Sequence, residues 1–127
     1  MDTVSLSVGG GEQPIRLLQI TDTHLFAQAD GQLLGIRTAD SLAAVLAAIQ
    51  AQAEPFDLVL ATGDLSQDYS TDSYRRFADM ARPLNRPIFW LPGNHDDGPL
   101  MRRVMPDFGI SNAQQILLDG WQIIMLD

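Results

Sequence analysis

The chain has 127 residues, 46% of them hydrophobic, with 16 Asp and Glu against 8 Lys and Arg and a formal net charge of −8. That length and apolar fraction suit one domain with a real core and exclude a disordered polymer. The acidic balance argues against binding a nucleic acid polymer or an anionic membrane surface, each of which needs a basic face. All the basic residues are Arg, and there is no Cys, so disulfides, thiolate nucleophiles and Cys-ligated metals are excluded.

Residues 1–14 carry Asp2 and Glu12 and lack both a basic start and an apolar run, so they do not read as a secretory signal. No apolar stretch approaches membrane-spanning length. A soluble cytoplasmic protein is the expectation. The cluster Gly9-Gly10-Gly11-Glu12-Gln13-Pro14 breaks regular structure. Residues 1–14 are therefore expected to form a flexible arm or a short edge strand ahead of a domain at 15–127.

From there the pattern alternates. Residues 15–21 (IRLLQIT) are short and mostly apolar, as a buried strand is. Residues 38–53 read as a helix, with Leu42, Val45, Leu46 and Ile49 on a core-facing stripe and Thr38 as N-cap. Residues 57–62 (DLVLAT) form a second buried strand. A second helix spans 71–82, capped by Ser70 and stopped by Pro83, with Tyr74, Phe77, Ala78 and Ala81 on one face. Residues 87–91 (PIFWL) give a third strand and 98–105 a short helix. Asp119-Gly120 between the apolar runs 115–118 and 121–126 signals a hairpin. The order β-α-β-α-β-(α)-β-β implies an α/β fold with right-handed crossovers and a parallel sheet closed by that hairpin.

The chemistry-bearing residues follow the first three strands: Asp22 and His24, then Asp64, then Asn94, His95 and Asp96. In a parallel sheet those carboxyl ends share one edge, where ligands bind. Asp22 and His24, two apart in an extended segment, can point the same way toward one ion. Asp64 follows Gly63, and its carboxylate has enough lone pairs to bridge two cations. Mixed Asp, His and Asn donors suit Mn²⁺, Fe²⁺ or Zn²⁺. A cation would also relieve the repulsion between Asp22 and Asp64 and let an acidic protein take an anionic phosphate. A single Asp after a strand is usually a turn residue and a lone His usually structural. Here both histidines of the chain sit in these segments. Asp68, Asp72 and Asp79 read as solvated or near helix starts, and Asp97 reads either way.

Asp22-x-His24, Gly63-Asp64 and Gly93-Asn94-His95-Asp96, each after a strand, resemble the calcineurin-like metallophosphoesterase superfamily. The flanking stretches LLQITDTHLF (17–26), DLVLATGDLSQDYS (57–70) and WLPGNHDD (90–97) resemble its class III cyclic nucleotide phosphodiesterases. The resemblance implies the N-terminal part of a four-layer α/β/β/α sandwich. It implies two divalent metal ions, Fe or Mn first and Zn as an option, and hydrolysis of 3′,5′-cyclic AMP to 5′-AMP. Asp22 and His24 would bind the first metal, Asp64 would bridge both, and Asn94 would bind the second. His95 would serve the leaving oxygen as the catalytic group and Asp96 would orient it. His24, Asn94 and His95 would contact the substrate.

The family pattern continues with further histidine ligands, and no His follows His95 here. The second site is then incomplete, and the chain is expected to be a truncated and inactive fragment that self-associates, as a homo-oligomer, through its unfinished sandwich face. The partner expected is a cyclic nucleotide or another small phosphodiester. The alternatives are another metallophosphoesterase (a nuclease, a nucleotide pyrophosphatase or a phosphomonoesterase) and a non-catalytic scaffold on the same fold.

Overall fold

A computed structural model describes residues 1–8 and 13–127, so Gly9 to Glu12 of the breaker cluster lie outside the described residues. The chain forms β1 (Thr3–Leu6), β2 (Leu17–Ile20), β3 (Gln32–Leu33), β4 (Ile36–Arg37), α1 (Thr38–Gln52), β5 (Leu58–Thr62), α2 (Thr71–Ala81), β6 (Ile88–Leu91), α3 (Gly98–Val104), β7 (Gln115–Leu118) and β8 (Trp121–Ile124). From β2 onward the order is the expected one, with the small antiparallel pair β3–β4 inserted before α1.

The strands make two three-stranded sheets rather than one sheet closed by a hairpin. The first has the order β2-β5-β6 and is all parallel. The second has the order β1-β7-β8, with β1 parallel and β8 antiparallel to β7. The hairpin leaves the first sheet because β7 pairs with β1, a partner over a hundred residues away that local pattern does not reveal.

Period-two alternation explains how the layers stack. Val59 and Ala61 of β5, with Ile88 and Trp90 of β6, face the helices and pack with Tyr74, Phe77, Ala78 and Met101. Leu58 and Phe89, backed by Leu60 and Leu91, face the second sheet and pack with Ile116, Leu118 and Met125. Both faces are covered, so these strands read as unbroken apolar runs. Helices, sheet and sheet thus form three stacked layers, consistent with the N-terminal part of the sandwich the resemblance implies. Phe77 is wholly buried, and its truncation to Ala would cost about 3–5 kcal/mol.

Two expectations for α1 need correction. The N-cap is Arg37, with no side-chain cap bond, and Thr38 is the first helical residue. Strand β4 runs straight into the helix, and the Thr38 N–H donates to the Gly31 carbonyl at 3.4 Å instead. Val45 is 49% exposed rather than core, while Leu42 is buried. β2 is the edge strand of its sheet, and Val45 lines an open groove with Leu33, Ile36 and Leu42. In α2 the expected cap holds: the Ser73 N–H donates to Ser70 Oγ at 3.0 Å. Tyr74, Phe77, Ala78 and Ala81 are all buried on its inner face.

Candidate metal centre

The loop after β2 is stitched to the loop after β5, continuing the pairing of those strands. The Asp22 N–H donates to the Gly63 carbonyl (2.9 Å), His24 N–H to the Asp64 carbonyl (2.9 Å) and Leu25 N–H to the Leu65 carbonyl (2.8 Å). To make this stitch, Asp22, His24 and Asp64 adopt φ of 60°, 46° and 52°, with Gly63 at 102°. Non-glycine residues rarely take this left-handed conformation, and each costs about 1–3 kcal/mol unless its surroundings enforce it. Here the backbone bonds enforce it. The outcome is that donor atoms of Asp22, His24 and Asp64 lie within 4.8 Å of one another.

The loop after β6 closes the centre from the other side. The His95 N–H donates to Asp64 Oδ1 at 2.9 Å. The Asn94 carboxamide lies 3.3 Å from both Asp64 oxygens. Its nitrogen can donate to them, or its oxygen can join them around a cation. The His95 ring stands edge-on to the His24 ring, with centroids 5.6 Å apart. His95 Nδ1 is buried and has no hydrogen-bond partner among the described residues. All six residues singled out from the sequence therefore meet at the carboxyl edge of the first sheet.

Asp96 is placed differently from the role its motif suggests. Its Oδ2 accepts from the N–H of Gly93 (2.8 Å) and Leu65 (3.3 Å), and its Oδ1 from the Ser66 N–H (3.1 Å) and the Tyr74 hydroxyl (3.1 Å). These bonds tie the loop after β5 to the loop after β6, and none runs to the His95 ring. The Tyr74 hydroxyl in turn accepts from the Asp97 N–H at 2.9 Å. Burial, more than the neighbouring carboxylates, pushes that phenol well above its ordinary value, so it stays a proton donor. Asp97 caps α3, accepting from the Leu100 N–H at 3.0 Å.

Three contributors lay outside the motifs. Gln67 Oε1 sits 2.9 Å from His24 Nδ1. A carboxamide oxygen only accepts, so Nδ1 is the donor in this contact and Nε2 is the ring nitrogen left to face an ion. That nitrogen lies 3.7 Å from Asp22 Oδ1. Arg76 donates to the carbonyls of Phe26 (3.1 Å) and Ala27 (2.6 Å), fixing the chain after His24. Asp68 is a loop pin rather than a merely solvated group. It accepts from the Ala27 N–H, the Ser70 N–H and the Ser70 and Ser66 hydroxyls. Partial burial pushes its carboxyl upward, but these hydrogen bonds together outweigh that and hold it below its ordinary value. Asp72 and Asp79 are surface residues paired with Arg75 and Arg82.

Two carboxylates, an imidazole and a carboxamide form a donor set that fits a divalent cation. A cleft of about 490 Å³ opens beside it, walled by Asp22 and His24 on one side and by Leu33, Ile36 and Leu42 on the other.

The calcineurin-like phosphoesterase family matches residues 15–122, and this chain belongs to that family. It is 51% identical over 117 residues to the 3′,5′-cyclic adenosine monophosphate phosphodiesterase CpdA of Vibrio vulnificus, a match covering 91% of this chain and 43% of the relative. It is 49% identical over 118 residues to the Escherichia coli K12 protein of that name, covering 92% and 43%. With the CpdA of Pseudomonas aeruginosa it shares 41% over 114 residues, covering 89% and 41%. The chain thus spans about two fifths of the length of the curated relatives it matches.

Proposed function

We propose that this chain carries the cation-binding centre of a phosphodiesterase that opens 3′,5′-cyclic AMP to 5′-AMP. The observation that carries the reading is the convergence of Asp22, His24 and Asp64 within 4.8 Å, enforced by three left-handed backbone positions. The names of the relatives support the substrate.

Asp22, His24 and Asp64 would hold one divalent ion, and Asp64 with Asn94 a second. Mn²⁺ and Fe²⁺ suit these donors best, and Zn²⁺ is compatible. When bound, such ions supply positive charge against the phosphate oxygens and make a nucleophile available near neutral pH. The chain's own residues do the rest. His24 and Asn94 flank the phosphate. His95 gives a proton to the 3′-oxygen as the ring opens. Asp96 acts as a positioning residue, holding Gly93 and the backbone before His95 in place.

With two histidines, the chain alone offers three donors to one ion and two to the other, so we expect weak binding at the second position and slow turnover by the chain alone. We also propose self-association through the apolar edge where Leu17 and Trp121 stand exposed, with a second copy as the occupant. Among the described residues no helix is long and apolar enough to cross a membrane. The reading places the chain in the cytoplasm, with its nucleotide.

The test is a panel of phosphate esters presented with Mn²⁺. Release of 5′-AMP from 3′,5′-cyclic AMP, slow but abolished by EDTA and by Asp64→Asn, supports the reading. Cation-dependent hydrolysis confined to monoesters or polynucleotides would assign the centre to another phosphoesterase. No cation-dependent binding or hydrolysis of any ester would contradict it.

A further inference from the structure

We infer that Tyr69 is the specificity wall of this centre, taking the planar base of a nucleotide against its ring, so that the site prefers nucleotides over sugar phosphates. The inference rests on the phosphodiesterase reading above.

Conformation is the first argument. Tyr69 has φ of 61°, a left-handed position that an aromatic side chain rarely adopts and that glycine fills without strain. The loop holds it there from both sides. The Tyr69 N–H donates to Oγ of the fully buried Ser66 at 2.9 Å, and Asp68 accepts from the Ser70 N–H at 3.2 Å and the Ser70 hydroxyl at 2.6 Å. Strain enforced in this way marks functional positions.

Location is the second. The Tyr69 ring lies 6.5 Å from the His95 ring, centroid to centroid, with planes 31° apart. Yet it is 47% exposed, while Tyr74, Phe77, Phe89 and Trp90 are all buried. An aromatic ring left open to solvent beside the group that serves the leaving oxygen has not been placed there by core packing.

Chemistry is the third. If the phosphate sits on Asp22, His24 and Asp64 with His95 at the leaving oxygen, the nucleoside attached to that oxygen extends past His95, toward Tyr69. An aromatic face there stacks on a base and finds nothing to stack on in a bare sugar phosphate.

The experiment compares 5′-AMP with ribose 5-phosphate on the chain at saturating Zn²⁺, which fits the same donors and, being diamagnetic, leaves nearby ring signals sharp. Calorimetry gives affinity, and the NMR signals of the Tyr69 and His95 rings give location. Expected are binding of 5′-AMP about tenfold or more tighter than ribose 5-phosphate, and upfield shifts at Tyr69. Tyr69→Ala should erase the preference and leave ribose 5-phosphate affinity unchanged. Tyr69→Gly should erase it too while raising the melting temperature, because the strain is relieved. If both ligands shift His95 but bind equally to the wild type, Tyr69 has no such role and the phosphate reading stands. A lower melting temperature in Tyr69→Gly with the preference intact makes Tyr69 a packing residue and overturns the inference. If neither ligand perturbs His95, the phosphodiesterase reading itself fails.

Discussion

Gly93 and Asp64 are packed so closely that a Cβ on Gly93 would fall 2.1 Å from Asp64 Oδ1 and 2.5 Å from its backbone nitrogen. The carboxylate that joins the loops after β5 and β6 thus occupies the space a side chain would need. Gly93→Ala should displace Asp64, lower Mn²⁺ affinity at least tenfold and destabilise the fold by about 1–3 kcal/mol. Calorimetric titration and urea unfolding check both numbers. Unchanged Mn²⁺ affinity would mean that the position of Asp64 does not govern the ion.

Gln67 should matter to metal and little to fold. It meets His24 Nδ1 from a half-buried position and carries no packing cluster. Gln67→Leu is expected to weaken Mn²⁺ binding about 10- to 100-fold, as loss of a partner behind a metal-bound imidazole does. Stability should change by only about 1 kcal/mol, the value of one hydrogen bond. A variant that unfolds without losing affinity per folded molecule would contradict this assignment.

Asp96 should show the reverse balance. Asp96→Ala leaves the N–H groups of Gly93, Leu65 and Ser66 without their acceptor and is expected to cost about 3 kcal/mol or more. Tyr74→Phe removes one of its donors and leaves the Asp97 N–H without its acceptor, and should cost about 1–2 kcal/mol, less than Asp96→Ala. Chemical denaturation of both variants tests the ranking, and equal small losses would count against Asp96 as the tie between the loops after β5 and β6.

The pH dependence follows from Asp68. Its folded carboxyl titrates below the ordinary value of 3.8, so the folded state binds the proton less readily than the unfolded state. The stability it contributes is therefore fully present above the unfolded value and is lost as pH falls through the folded one. The stability difference between wild type and Asp68→Asn should stay level from pH 7 to about 5 and shrink below 3.8. A difference that grows on acidification would reverse the sign assigned here.

The carboxyl-edge centre was legible because each motif follows an apolar run, and in a parallel sheet such runs end together. The order of helices and strands was legible for the same reason. The division into two sheets was hidden, since Ile116 pairs with Val4 and no local pattern joins them. Thr38 misled because its residue type suits a cap, while β4 feeds the helix directly. Val45 misled because helical spacing gives the side of a helix and not whether the neighbouring strand is an edge. Asp68 reads from the sequence only as solvated or near a helix start, and Gln67 and Tyr69 are not singled out, because polar and aromatic residues in a loop carry no periodicity. Only the backbone geometry shows that Tyr69 is left-handed and that Asp68 holds it there.

The central claim is that Asp22, His24 and Asp64 form a cation centre. Paramagnetic broadening by Mn²⁺ in a ¹H–¹⁵N spectrum tests it most directly. The account predicts that amides of residues 22–24, 63–65 and 93–95 broaden first, and that Asp64→Asn abolishes this at the same Mn²⁺ concentration. Broadening centred on the surface carboxylates of α2, or unchanged by Asp64→Asn, would contradict it.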